Sequence, residues 1–344
     1  MSRTNDQWTV AAHPTTVLAL EHFARREVPV PTLAEGEFLI ETHALNIAPV
    51  MRMYMMGNSA AGEAPLRIGD VIHGRGVGQV IESRHPDYAE GIYVQGQLGW
   101  QRFKISRGTA QEKLRILKAN GLPITYALSA LGMTGYSAWC GFFSRGEPKP
   151  GEALLVSGAV GGVGSLVVQM ARIIGMTPII GIAGGPEKCA LARELGCDDA
   201  IDYRSEPIHE RLTTLLPDGF KVFFDNVGGE ILNTALLHLA PHARVVLCGA
   251  ISEYEKETRT GPANYFELSN KNADFRGFFV YHHQHEFDQA ETQMAQWLRD
   301  GQLRVLTDTL EGFERMPEAL MGMYTGTGGG KRLVTVKDGP VAVY

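Results

Sequence analysis

The sequence predicts an α/β fold in which a doubly wound parallel sheet is joined to a second, mostly β domain. Three observations carry that prediction. Apolar strand-like runs alternate with helix-like stretches from about residue 150 to 300, and such alternation implies right-handed crossovers and a parallel sheet. A glycine cluster, Ser157 to Ser165, sits between the first of those strands and the helix after it. The first third differs: proline turns, glycines and β-branched residues follow one another without a helical period. At roughly 150 residues per domain, a chain of 344 residues should hold two domains. The expected division is residues 1–127 with 309–344, and residues 128–308.

Along the chain, Val28 to Leu33 is a proline-punctuated turn and Glu37 to Leu45 a strand. Gly74 to Glu82 mixes glycines with β-branched residues, as a bent strand of a barrel-like sheet does, and Gly91 to Trp100 is similar. Ala127 to Phe143 is apolar and helix-like, and Arg145 to Gly151 is a charged Pro/Gly turn. Ala153 to Ser157 is a short apolar run of the kind a buried parallel strand makes. Leu166 to Ile174 is helical in pattern and closed by Gly175; Thr177 to Ala183 is a second strand. Pro186 to Leu195 is a helix with Gly196 as its stop. Lys221 to Asp225 and Arg244 to Cys248 are further strands, separated by helix-like Glu230 to Leu239. Phe275 to Tyr281 is another strand, Glu286 to Arg299 an amphipathic helix, and Lys331 to Val336 a strand expected to return to the first domain.

Composition narrows the function. The formal charge of −6 leaves no basic excess for a phosphate backbone, so nucleic acid is not an expected partner. Cys140, Cys189, Cys197 and Cys248 are too scattered for a disulfide scaffold and fit a reducing, cytoplasmic setting. The N-terminal residues have no apolar segment of a secretory signal. No apolar run reaches the ~18 residues that a membrane helix requires.

The glycine cluster contains Ala159-x-Gly161-x-x-Gly164, a dinucleotide fingerprint with Ala in first place. Small residues there let the chain turn sharply, let backbone N–H groups approach a pyrophosphate, and let the helix lie close to the strand. The helix N-terminus then faces the phosphates. An NAD site usually places Asp or Glu at the end of the second strand. Here that strand ends in Ile182-Ala-Gly-Gly-Pro-Glu-Lys188, with a small neutral tip and a lysine after it. NADP(H) is therefore the expected cofactor.

Catalytic zinc needs three protein ligands and an open position. The stretch Ile72-His-Gly-Arg-Gly-Val-Gly places Gly74 and Arg75 where ligands would lie, and His282 to His285 reads as a polar loop whose metal-binding partners the sequence does not identify. No metal is expected. Without a Lewis acid, a carbon–carbon double bond conjugated to a carbonyl is a better hydride acceptor than a plain carbonyl. Its charge spreads into an enolate that a tyrosine, a ribose hydroxyl or a backbone N–H can hold.

The chain resembles the zinc-independent medium-chain dehydrogenase/reductases, in the group of leukotriene hydroxydehydrogenases, prostaglandin reductases, curcumin reductases and 2-alkenal double-bond reductases. The marks run over nearly the whole chain: Pro49-Val-Met-Arg, Leu131-Gly-Met-Thr-Gly, Gly161-Gly-Val-Gly-Ser, Phe224-Asp-Asn-Val-Gly-Gly, Cys248-Gly-Ala-Ile-Ser-Glu-Tyr and Gly312-Phe-Glu-x-Met-Pro. The resemblance implies a Rossmann domain with a GroES-like barrel domain, and NADPH-dependent reduction of the C=C bond of α,β-unsaturated ketones and aldehydes. It implies that Gly161, Gly162, Val163, Gly164 and Ser165 meet the pyrophosphate, that Lys188 and Tyr203 hold the 2′-phosphate, and that Asn226 lies near the nicotinamide ribose. Cys248, Gly249, Ala250, Ile251, Ser252 and Tyr254 would run along the cofactor, and Phe278, Phe279 and Val280 would flank the nicotinamide. Tyr265 would border the substrate cleft and Tyr54 would come from its other wall; both are candidate catalytic phenols, with ordinary packing as the alternative. Met51, Met53, Met55 and Met56 read as core filling, with the lining of an adaptable apolar pocket as the alternative.

The chain also departs from its group. Ala48-Pro-Val50-Met-Arg stands where the group carries Asp-Pro-Tyr-Met-Arg, and Gly328 stands where an Asn contacts the nicotinamide side. The pocket is expected to be roomier and more apolar, with a small apolar unsaturated carbonyl as substrate and a homodimer as the assembly. Two other readings stay open: an NADPH-dependent quinone oxidoreductase, and an NADP(H)-binding sensor or scaffold without turnover.

Overall fold

The computed structural model describes residues 3–15, 17–57, 63–254, 260–324 and 328–344. The first two residues of the stretch read for a secretory signal lie outside them. The described chain forms two compact units: residues 3–128 with 307–344, and residues 129–306.

The first unit is mostly β. Strands Thr4–Val10 and Phe23–Pro29 pair antiparallel. A larger sheet runs in the order Thr307–Glu311, Lys331–Thr335, Phe38–Asn46, Arg75–Ser83, Tyr93–Gln97, Arg115–Ile116, with Phe103–Ser106 also on Phe38–Asn46. The C-terminal strand pairs antiparallel with Phe38–Asn46, so the tail completes this sheet. The Arg75–Ser83 strand bends where its register shifts against Phe38–Asn46. Its glycines are required by packing: a Cβ on Gly76 would lie 2.8 Å from Leu45 and 2.9 Å from Leu98. Trp100, stacked on Phe23 with ring centroids 5.8 Å apart, anchors a core that includes Phe38, Ile40, Leu45 and Phe313.

The second unit is a six-stranded parallel sheet. Its strands, numbered here within the unit, are β1 (Leu154–Ser157), β2 (Ile179–Ala183), β3 (Asp199–Asp202), β4 (Phe220–Asp225), β5 (Leu239–Leu247) and β6 (Asp274–Gly277). Their order is β3-β2-β1-β4-β5-β6, the doubly wound dinucleotide-binding order. The helices are α1 (Met133–Trp139), α2 (Gly164–Ile173), α3 (Pro186–Glu194), α4 (Ile208–Leu215), α5 (Gly229–Ala235), α6 (Glu267–Lys271) and α7 (Phe287–Arg299). Leu155, Ile180, Ile201, Phe220, Phe223 and Val245 bury one face of the sheet. Gly175 and Gly196, at φ +82° and +119°, close α2 and α3 as expected.

Several expectations need correction. The helix expected over 127–143 starts only at Met133, because Gly132 is extended at φ −145°, and a side chain on Gly135 would strike the Ala130 carbonyl. It then widens into a π-helical segment, Cys140–Arg145. The strand expected over 275–281 stops at Gly277, where its partner β5 runs out at Leu247, and a 3₁₀ segment, Val280–Glu286, follows. The elements not anticipated include β3, α4 and α6 of the second unit, and in the first unit the strands Thr4–Val10, Phe103–Ser106 and Thr307–Glu311 and the helices Met51–Met55 and Met316–Tyr324. Among the described residues, no helix is long and apolar enough to cross a membrane.

Candidate functional site

Parallel strands put all their carboxyl ends on one edge, and the crevice of such a sheet opens where the strand order reverses, here between β1 and β4. The loop after β1 turns at Gly158, φ +60°. Gly161 N–H donates to the Gly158 carbonyl at 2.9 Å and Ser165 N–H to that of Gly161 at 3.0 Å. Gly164 is where α2 crosses closest to the loop: a Cβ there would collide with the Gly158 carbonyl oxygen. α2 has no side-chain cap, and the positive end of its dipole suits an anion. The geometry of this loop fits a dinucleotide pyrophosphate.

The floor of the crevice is a hydrogen-bonded core. Ser157 Oγ donates to Asp225 Oδ1 at 2.6 Å, and Asp225 also accepts from Val227 and Gly228 N–H at 3.0 and 3.1 Å. Burial pushes the Asp225 carboxyl up, and the Ser157 bond partly offsets it. Asn226 donates its side-chain amide to the Ser157 carbonyl at 2.8 Å, and its N–H to Ser157 Oγ at 2.8 Å. Asn226 is thus pinned across the switch point between β1 and β4. The segment after β5 zips onto the same loop. Cys248 and Gly249 N–H donate to the Asp225 carbonyl at 2.9 and 3.1 Å, and Ser252 Oγ donates to the Val227 carbonyl at 2.7 Å. The Tyr254 hydroxyl accepts from Ala250 N–H at 3.3 Å. Burial pushes the Cys248 thiol up to about 12, so it stays protonated.

The small neutral tip of β2 includes Gly184. A Cβ there would lie 2.8 Å from the Tyr203 ring and 3.0 Å from Arg204 Nε. The Arg204 guanidinium is 5.9 Å from the Tyr203 ring centroid. Lys188 is half-buried in the first turn of α3. A carboxylate does stand beside the tip, Asp202 at the end of β3, but it is engaged. It accepts Gly185 N–H at 2.7 Å, Arg204 N–H at 3.0 Å and Ser205 Oγ at 2.8 Å. Those bonds, led by the one from Gly185, hold its carboxyl below the usual range. Lys188 and Tyr203 were named from the sequence and Arg204 was not; the signal for it was β3, which carries residues 203 and 204 to the tip.

Phe278, Phe279 and Val280 follow β6 on the same edge. Phe278 and Phe224 both close on Gly141, each about 2.8 Å from a notional Cβ there. Tyr265 lies on a 3₁₀ turn, Ala263–Phe266, and is 62% exposed. Asn264 anchors that turn to α5 through two bonds to Asn233, at 3.0 and 2.8 Å.

The remaining predicted residues belong to the first unit. Tyr54 is only 7% exposed, within the core, with its ring edge-on to His73 at 5.6 Å. Met51 and Met55 are buried beside it, and Met53 packs against the same core. Gly328 has φ +80°, and a side chain there would collide with the Asp308 carboxylate and the Arg332 guanidinium. The ion pair between those two residues occupies the space an asparagine would need. Gly74 is pressed against Trp100, 2.6 Å from a notional Cβ, so that position faces the core.

One cluster joins residues the sequence kept apart. Cys140, His283 and Glu286 bring one ligand atom each within 4.8 Å of one another. His282 to His285 thus has the neighbours that sequence reading could not supply. Burial and the Glu286 charge push the Cys140 thiol up to about 12.

Comparison with known proteins agrees with this architecture. Residues 6–114 match a family described as N-terminal domain of oxidoreductase, and residues 162–296 one described as zinc-binding dehydrogenase. The chain is 34% identical to the NADPH-dependent curcumin reductase of Escherichia coli, over 96% of this chain and 97% of that one. It is 36% identical to prostaglandin reductase 1 of Rattus norvegicus, over 95% and 98%. The crystal structure of CurA in complex with NADPH from Vibrio vulnificus superposes with a TM-score of 0.88 at 32% identity, covering 97% of this chain and all of that one.

Proposed function

The chain belongs to the prostaglandin reductase and curcumin reductase group of NADP(H)-dependent medium-chain dehydrogenase/reductases, and from that premise we propose that it reduces the C=C bond of α,β-unsaturated ketones and aldehydes. One observation carries the cofactor side of the reading. Tyr203 and Arg204 lie against the β2 tip at Gly184 and Lys188 follows in the first turn of α3, while the nearby Asp202 carboxylate is engaged by backbone N–H groups.

Bound NADPH supplies a hydride. The chain's own residues do the rest. Gly161 to Ser165 hold the pyrophosphate at the α2 N-terminus, and Asn226, pinned to Ser157, sets the ribose on the nicotinamide side. Cys248 to Tyr254 and Phe278 to Val280 complete the cofactor contacts within this unit. As hydride reaches the β-carbon, negative charge spreads through the enolate to the carbonyl oxygen. Tyr265, on its anchored and exposed turn, donates a hydrogen bond to that oxygen, and the α-carbon takes its proton from water or from the same phenol. No metal ion takes part in this step. Tyr54, buried against His73, packs the short helix Met51–Met55 that carries it. The reading includes a homodimer in a reducing, cytoplasmic setting.

The test is a steady-state panel of enones, alkenals and quinones with NADPH and NADH. Loss of C=C absorbance with NADPH, a saturated carbonyl product and poor use of NADH are expected. Turnover of quinones alone would favour the quinone oxidoreductase reading. A tight NADPH complex that oxidises cofactor with no acceptor would favour a sensor.

A further inference from the structure

The Cys140, His283 and Glu286 cluster lies in the second unit and takes no part in the proposed hydride transfer. Its side chains come from two irregular segments. Cys140 opens the π-helical segment Cys140–Arg145, a distortion that recurs at functional positions. His283 and Glu286 lie in the 3₁₀ segment Val280–Glu286, and His283 is its non-helical residue, at φ −109° and ψ 22°. Cys140 is fully buried, and His283 and Glu286 are half-buried.

We propose that Cys140, His283 and Glu286 form a binding site for a zinc-class divalent transition-metal ion. The donor set is one sulfur, one nitrogen and one oxygen. Thiolate and imidazole select zinc and its neighbours, and they are poor ligands for calcium or magnesium. A thiolate and a carboxylate together carry two negative charges, which a divalent ion neutralises inside the fold. A tetrahedral zinc with bonds of about 2.0–2.3 Å spaces its ligand atoms roughly 3.3–3.8 Å apart. His283 Nδ1 and Glu286 Oε1 are 2.7 Å apart, and all three ligand atoms lie within 4.8 Å. Binding opens the first pair by about half an ångström and draws the sulfur in. The Cys140 thiol gives its proton to solvent, and the His283–Glu286 hydrogen bond is exchanged for two bonds to the ion.

The surroundings fit that exchange. Ser144 Oγ donates to Glu286 Oε2 at 2.5 Å, so the second carboxylate oxygen is already oriented while Oε1 faces the cluster. His285, whose side chain is 75% exposed, brings its Nε2 to 3.7 Å from Glu286 Oε1, so the cluster meets solvent on that side. An ion therefore has a path from solvent. The Phe278 ring lies edge-on to His283 at 6.2 Å, so the ion would also steady the turn that carries Phe278 to Val280.

The test uses the full chain, stripped with a chelator and titrated with Zn²⁺ by calorimetry and with Co²⁺ by absorbance. One equivalent per chain, a tetrahedral visible spectrum and a thiolate-to-cobalt charge-transfer band are expected. Zn²⁺ should also raise Tm. His283→Ala and Glu286→Gln, at half-buried positions, should weaken binding at least ~10-fold, and Cys140→Ser should abolish the charge-transfer band. His282→Ala, one residue outside the cluster, should bind as the unaltered chain does. No binding by the unaltered chain, or equal binding by His283→Ala and Glu286→Gln, would reduce the cluster to a hydrogen-bonded triad. If Cys140→Ser does not fold, the other two variants decide.

Discussion

Cofactor choice is decided by a few side chains. Asp202 stands where a carboxylate could hold a ribose hydroxyl, yet Gly185 N–H of the β2 tip and the Arg204 N–H and Ser205 hydroxyl of its own loop already engage it. The positive groups Lys188 and Arg204 lie on the other side of that balance. A charged hydrogen bond is worth about 1.5–3 kcal/mol, or roughly 10–100-fold in affinity. Lys188→Ala and Arg204→Ala should each raise the KM for NADPH by about that factor and leave the KM for NADH nearly unchanged. Equal effects on both cofactors would remove these residues from the 2′-phosphate site. Tyr265 is a separate matter. Tyr265→Phe should lower kcat roughly 10²-fold, as loss of one oxyanion donor does, with cofactor affinity intact. Unchanged turnover would leave Tyr265 as an exposed aromatic.

The same scale explains what the sequence could reveal about the site. The fingerprint was legible because its glycines are demanded by backbone collisions, which sequence spacing records. Arg204 and the cluster of Cys140 with His283 and Glu286 were not, since each depends on residues brought together by the fold. Gly328 was legible as a departure, but its reason, the Asp308–Arg332 pair beside it, appears only in three dimensions.

Among the elements, β1, β2 and β4 were visible as apolar runs. β3 was not: Asp199-Ala-Ile-Asp202 has two apolar residues between carboxylates, too short for a pattern. α4 carries Thr213 and Thr214, poor helix formers, and is held by tertiary contacts. The α2 cradle gives a direct test. Gly164→Val would force a side chain into the Gly158 carbonyl, at a cost of about 1–3 kcal/mol, and should abolish NADPH binding measured by nicotinamide fluorescence. Unchanged affinity would contradict the close approach of α2 to the loop.

The strand Phe38–Asn46 makes a pH prediction. Burial, aided by the Lys337 charge, lowers His43 from 6.5 to about 4. The folded chain therefore favours the neutral ring. That stabilisation is complete above the unfolded value of 6.5 and is lost as pH falls toward 4. Its size is on the order of 1–3 kcal/mol. Denaturant midpoints measured from pH 7 to pH 4 should fall, and His43→Gln should flatten the decline. A variant with the same slope would place the acid sensitivity elsewhere.

For the whole molecule, the sheet order, the glycine cradle and full-length likeness to NADPH-dependent double-bond reductases point to one chemistry. In the sequence, the hydrophobic period changes near residue 128, where proline- and glycine-rich strands give way to strand–helix alternation. Substrate identity was not legible, because it rests on pocket shape rather than on any repeated pattern. Hydride destination is the central claim, and isotope labelling tests it most directly. An α,β-unsaturated ketone incubated with NADPH deuterated at C4 should yield the saturated ketone with deuterium on the β-carbon, read by NMR. Deuterium on a carbinol carbon, with the double bond intact, would contradict the account.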